Sequence, residues 1–473
     1  MIENQQASFK PSLSLLDATM IVAGSMIGSG IFLVSAEIAR SVGSAGWFTV
    51  MWVLAGIVTM IAAVSYGELS GMYPRAGGQY VYLREAYNPF VAFLFGWTQF
   101  SVIQTGTIAA VAVAFAKFTA YLIPAVSEQH ILWDAGFMKV SAAQIVAIIS
   151  IILLTYINTK GIRNGKIIQT VFTLAKLLSL FGLIIFGFLI GARAEVWNAN
   201  WQNAWGTFSM QQVNGQTVTT MLTGMAVLGA IAVSMKGSLF SSDAWNNVTF
   251  IAAEIKHPQK NIGRSLFLGT LIVTIIYVSA NLMYLSVLPL NEIAFAANDR
   301  VGVAAAEKIF GNSGSLIIAV MIMVSTFGCN NGLILSGARI YYTMAQDGLF
   351  FKQAGSLNRY SVPEKGMWIQ CLWASLLCLS GRYGDLLALV IFGVLIFYVL
   401  TILGIFILRK KQPAAPRPYK AFGYPVLPMI YIAVAVGLAL LLLVFEVNYT
   451  LPGLGIILLG IPLYYWAMRK KQA

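Results

Sequence analysis

Midway along the first long apolar stretch, residues 24–32 read Gly-Ser-Met-Ile-Gly-Ser-Gly-Ile-Phe. A bilayer core offers no water to an unpaired amide, so a spanning segment normally keeps its backbone bonds inside one unbroken helix. Three glycines and two serines within seven residues invite that helix to unwind at half depth. Unwound backbone survives there only where it is buried in protein or lines a cavity. The pattern predicts an interrupted span with something polar held at the interruption.

The composition supplies the membrane chain this requires: 473 residues, 58% hydrophobic and only 10% charged, with a mean hydropathy of +0.78. The first apolar stretch begins after Asp17 and runs past residue 36 without a small-residue cleavage site, which excludes a signal peptide. Twelve spans are predicted near 15–39, 46–71, 88–122, 142–158, 165–191, 220–254, 263–288, 313–343, 367–381, 384–408, 428–446 and 451–468. Counting alternate loops from the N-terminus, twenty Lys and Arg fall on one side and six on the other. That asymmetry places both termini in the cytoplasm. The net charge of +13 is therefore topology, with some contact to anionic lipid headgroups, and not a nucleic-acid signal. Cys329, Cys371 and Cys378 fall inside spans, and His130 and His257 lie in loops on opposite sides. No disulfide framework, metal site or cofactor site is expected. The outer loop near 192–219 carries Trp197, Trp201 and Trp205, read as an interfacial belt.

A second interruption, Gly237-Ser-Leu-Phe-Ser-Ser-Asp-Ala-Trp-Asn-Asn247, divides the sixth span. Interrupted helices five spans apart point to an inverted-repeat transporter, since an odd number of spans reverses the second half. The expected organisation is a cytoplasmic tail (1–14), a first repeat of spans 1–5 (15–191) and a second of spans 6–10 (220–408). Peripheral spans 11–12 (428–468) and a cytoplasmic tail (469–473) complete it. A half-helix beginning at mid-membrane exposes amides, here of Ser29 and Gly30, carrying about half a positive charge. One ending there exposes carbonyls, here around Ser25 and Met26, and at Phe240, Ser241 and Asp243. Amides beside carbonyls suit the two ends of a zwitterionic α-amino acid. The alternative for the first motif is a small-residue packing face built on Gly24 and Gly28.

The first-span motif resembles the signature of the amino acid–polyamine–organocation superfamily, and most closely its L-type amino acid transporter branch. Further matches run along the whole chain: Tyr66-Gly-Glu-Leu69, Gly77-Gly-Gln-Tyr80, Glu254-Ile-Lys-His-Pro258, Phe327-Gly-Cys-Asn-Asn-Gly332, Ser336-Gly-Ala-Arg339, Asp347-Gly348 and Arg417-Pro-Tyr-Lys-Ala-Phe-Gly-Tyr-Pro-Val-Leu-Pro428. The resemblance implies an all-α LeuT-type fold, a 5+5 inverted repeat with broken helices 1 and 6, and alternating access around a central site. It implies substrate contacts at Met26, Ser29, Gly30, Phe240, Ser241 and Asp243, with Ser25 and Gly28 completing the first-break set. Phe240 matches an aromatic gate. Relatives in animals pair with a glycoprotein through a cysteine between spans 3 and 4. The segment 123–141 has none, so no disulfide-linked heavy chain is expected, and a stand-alone permease of the cell membrane is.

Lys176 lies ten or more residues from either membrane face, about 15 Å along a helix. A lysine there costs roughly 3 kcal/mol on insertion scales, so a buried partner is expected, with the carbonyls of the first break as candidates. The resemblance implies that its ammonium replaces a sodium ion. Whether it is a fixed strut or a proton-exchanging group stays open from sequence. Lys236 sits one helical turn before Phe240 and departs from the L-type pattern, which is uncharged there. It is read either as a vestibule ammonium favouring acidic substrates or as a lysine reaching water. Asp17 is expected to cap the first helix, Lys117 to snorkel, Glu68 to end span 2, and Glu254 and Arg339 to be either a gate-closing pair or interfacial charges.

The function expected is sodium-independent transport of L-amino acids, as exchange of neutral ones. The alternative is a proton-coupled amino acid symporter whose substrates extend to acidic amino acids. An enzyme is disfavoured by the lack of HExxH, of carboxylates at catalytic spacing and of any histidine inside a span. A sensor is disfavoured by the short tails.

Overall fold

The computed structural model describes residues 11–134, 139–380 and 383–472. The first ten residues of the expected N-terminal tail, Arg382 and Ala473 lie outside the described residues. Apolar helices follow one another in the expected order. Span 1 is the bent pair Leu15–Met26 and Gly30–Val42, and span 6 is Met225–Ser241 followed by the single turn Asn247–Phe250. Between them come Ala45–Met72, Pro89–Leu122, Ala142–Thr159 and Val171–Gly191. Pro258–Val287, Val301–Gln346, Glu364–Ser380, Tyr383–Lys411, Val426–Phe445 and Val447–Gln472 follow as spans 7 to 12. Ser14 caps span 1, and Asp17 completes the capping box by accepting the Ser14 amide at 2.9 Å.

Packing pairs span 1 with 6, 2 with 7, 3 with 8 and 4 with 9. Small residues allow close approach where such spans cross, as membrane helices require. A Cβ on Gly56 of span 2 would lie 2.2 Å from the Thr274 methyl of span 7. Burial separates centre from periphery: in the most apolar stretch of span 3, 94% of residues are buried, against 28% in span 11 and 17% in span 12.

The segment before span 6 differs from the sequence expectation of an outer loop. Ala194–Trp201 is a helix clamped to the end of span 7, with Asn200 Nδ2 donating to Leu285 O at 2.8 Å. Phe208–Val213 and Gln216–Met221 form an antiparallel hairpin turning at Asn214-Gly215, both in the left-handed region. Span 6 therefore starts at Met225 and not near 220. Trp197 and Trp201 pack against the core, while Trp205 is exposed and its carbonyl accepts the Trp47 indole at 3.1 Å.

Candidate functional site

The two halves of span 1 meet at 41°. A helix that ends inside a membrane leaves its last carbonyls without amide partners. Here Ala23 O keeps the Ile27 amide at 2.9 Å, and the next four carbonyls are taken by side chains of three other spans. The fully buried Lys176 ammonium donates to Gly24 O at 2.6 Å and to Ile27 O at 2.7 Å. The Cys329 thiol donates to Ser25 O at 3.1 Å. The Tyr277 hydroxyl lies 2.9 Å from Met26 O and 3.0 Å from Ser241 O, so one group joins the carbonyl ends of both broken helices. Of the carbonyls assigned from sequence to a substrate ammonium, those of Ser25 and Phe240 thus already accept bonds, and those of Met26 and Ser241 share the one Tyr277 proton. Each retains a second lone pair.

Beyond the gap, the first turn of Gly30–Val42 starts amides that have no intrahelical acceptor. Gly30 is where the breaks touch: a Cβ there would lie 2.1 Å from Ser241 Oγ and 2.9 Å from Ser241 Cα. Across from it, Ser241 Oγ donates back to Gly237 O at 2.9 Å, and Ala244 adopts φ +65°, strained for a residue with a Cβ. The Asp243 carboxylate accepts the Tyr398 hydroxyl at 2.7 Å.

Between the breaks lies a cavity of about 20 Å³, room for a water molecule but not for an amino acid. Its walls contain Ser25, Met26, Gly28, Ser29, Gly30, Phe240, Ser241 and Asp243, which is every residue the sequence put forward for substrate contact. Thr107, Val111, Ala244 and Cys329 also line it and escaped the sequence reading. Thr107 and Val111 are one turn apart on span 3, where no local motif distinguishes them from packing residues.

Lys236 is not the free vestibule ammonium that acidic selectivity presupposes. It is 3% exposed, with Nζ 3.0 Å from Glu37 Oε1 and 2.9 Å from Glu446 Oε1. One ammonium between two carboxylates carries net negative charge, so it cannot attract acidic substrates. The reading of a lysine reaching water fails for the same reason. Lys117 Nζ lies 4.0 Å from Glu128 Oε1.

The two sides of the site differ. On the predicted outer side, a vestibule of about 630 Å³ descends past Arg40, Glu37 and Lys117 to Leu33, Val34 and Val113, one turn from the small cavity. On the opposite side, Arg339 Nε lies 3.1 Å from Glu254 Oε1 with both side chains buried. Arg339 also donates to Leu335 O. These two residues thus form a pair, and not separate interfacial charges.

Residues 13–467 match the amino acid permease family. The chain belongs to that family. Over 482 aligned residues, 100% of both chains, the permease is 31% identical to the serine/threonine exchanger SteT of Bacillus subtilis (strain 168). It is 28% identical to the large neutral amino acids transporter small subunit 2 of Mus musculus, over 98% of this chain and 83% of that one. Identity to the Asc-type amino acid transporter 1 of Mus musculus is 26%, over 99% and 84%. The permease is thus a multi-pass amino acid transporter and not an enzyme.

The remaining motifs of the permease fasten the side opposite the vestibule. Gly77 and Gly78 both take positive φ, and the following Gln79 accepts Asn246 Nδ2 at 3.1 Å and donates to Thr401 Oγ1 at 3.0 Å. This ties the unwound part of span 6 to span 10. Tyr66, Trp245 and Tyr398 form an aromatic cluster over it, with ring centroids 4.8–5.7 Å apart. Asp347 accepts from Tyr80 at 2.9 Å and from Arg84 at 2.6 Å. Glu68, 1% exposed, accepts Arg409 at 2.7 Å and the Ala421 amide at 2.8 Å.

Proposed function

We propose that the permease exchanges small neutral α-amino acids across the cell membrane by alternating access, without sodium. The observation that carries this is the convergence of both helix breaks on one cavity whose cation position is filled by Lys176. The α-carboxylate is held by the amide end at Ser29 and Gly30, through a helix N-terminus. The α-ammonium is held by second lone pairs of the carbonyls at Met26, Phe240 and Ser241. The substrate side chain faces Thr107, Val111 and Cys329, a hydroxyl, a methyl surface and a thiol, with no cation for an acidic group among the described residues that line the cavity. Serine, threonine and alanine suit such walls, in keeping with the name of the Bacillus relative.

Residues 15–191 and 220–408 act as the inverted repeats, with both termini cytoplasmic. Phe240 is the gate between vestibule and cavity, and Glu254 with Arg339 is the inner closure. The protein works without a disulfide-linked heavy chain, since the segment between spans 3 and 4 lacks a cysteine and all three cysteines of the chain are buried.

Purified protein in liposomes preloaded with unlabelled amino acids tests this by uptake of labelled serine, alanine, leucine and glutamate in sodium-free buffer. Labelled serine or alanine entering only preloaded liposomes is the expected result. Accumulation in empty liposomes under an inward proton gradient replaces exchange with symport, and strict sodium dependence removes the role given to Lys176.

A further inference from the structure

We propose that Lys236 and Glu446 form a latch that holds the outer halves of both broken helices in the outward-facing arrangement, making spans 11–12 part of the transport cycle. The inference rests on the alternating-access reading above. Lys236 lies on Met225–Ser241, one turn before Phe240, and Glu37 lies on Gly30–Val42, two turns beyond the first break. The Lys236 ammonium joins them at 3.0 Å. Gly237 packs against the same face, where a Cβ would lie 2.4 Å from Val34 Cγ1. The two outer half-helices are therefore one body.

Glu446 stands elsewhere, at the junction of Val426–Phe445 and Val447–Gln472. It reaches the same ammonium at 2.9 Å and is 14% exposed. Gly30–Val42 bounds the vestibule on one side and spans 3 and 4 with the segment between them on the other, Asp299 and Gly384 adding to its wall; among the described residues none from span 11 or 12 lines it. Closing it carries the joined half-helices toward span 3 and away from Glu446. A charge pair shielded from water resists that separation far more than an exposed one, because Glu446 is left uncompensated while Lys236 keeps only Glu37. By contrast, Arg40–Asp299 at the rim is 31% and 40% exposed and is weakened by solvent.

The test is outside accessibility of a cysteine placed in the vestibule, Val113→Cys, to a charged, membrane-impermeant thiosulfonate reagent in intact cells. The reaction of the parent protein is subtracted for the native cysteines. Glu446→Gln, which keeps shape and removes charge, should slow labelling about fivefold, and Lys236→Glu combined with Glu446→Lys should restore part of it. The external half-saturation for exchange should shift in Glu446→Gln while the internal one shifts the opposite way. Unchanged labelling in folded Glu446→Gln protein overturns the latch. Should that variant not be recovered, Glu446→Asp withdraws the charge by one methylene and is read in the same way. Failure of exchange in the Val113→Cys parent would instead count against the transport reading, since labelling needs no transport.

Discussion

The first break spans residues 27–29 and the second 242–246, and they are held by different chemistry. At the first, a full positive charge from Lys176 sits between two carbonyls, with a thiol and a hydroxyl on the next two. At the second, the partners are neutral groups of Tyr277, Gln79 and Asn246, the carboxylate of Asp243 bonds to a tyrosine, and Ala244 is strained. Bonds involving a charged group contribute roughly twice as much as neutral ones. In the proposed cycle the first break is therefore the more firmly held of the two, with Lys176 standing where a cation would. The second combines neutral bonds with a single one to a carboxylate, Tyr398 to Asp243. Equivalent positions in two halves of a fold need not carry equivalent energetics.

Replacing the charge should have the largest effect. Lys176→Met removes two charge-assisted bonds, each contributing about 1.5–3 kcal/mol, and exchange in liposomes should fall by about a hundredfold or more. Retention of half the activity would make the first break no more rigid than the second. Gly30→Ala probes where the breaks touch. With Ser241 backbone in the way, overpacking of about 1–3 kcal/mol should lower exchange by roughly ten- to a hundredfold. An active Gly30→Ala protein with unaltered half-saturation would show that the breaks do not need this contact.

Tyr277→Phe removes one hydroxyl shared by both carbonyl ends, about 1 kcal/mol, so exchange should slow about fivefold while the protein stays folded. If it instead matched Lys176→Met, the neutral side of the comparison would be wrong. The smallest change is Ala244→Gly. Relief of left-handed strain of about 1 kcal/mol is partly offset by glycine's chain entropy. A thermal midpoint equal to or slightly above the parent's is expected, and a clear drop would locate the strain elsewhere.

Much of this site was legible in the chain because its signals are local. Glycine and serine clusters inside apolar runs mark the breaks, a lone lysine at mid-span demands a buried partner, and Lys and Arg counts orient the loops. The hairpin at Phe208–Met221 also had a local sign in Asn214-Gly215, but it lay in a segment read as an outer loop, where a turn pair does not by itself specify strands. Thr107 and Val111 had none. A threonine and a valine on an apolar helix look the same whether they face a cavity, lipid or a neighbouring span.

Charge partners show the same division. The sequence alone determined that Lys176 needs acceptors, that the backbone opens at Gly28–Gly30 and again near Asp243, and that the chain crosses a membrane many times. Which groups meet depended on packing over long separations. Lys236 finds Glu446, 210 residues away, and so becomes part of a cluster with two carboxylates instead of a selectivity cation. Burial imposes a large penalty on an unpaired charge but leaves its partner unspecified, and only the arrangement of the spans in space supplies that choice.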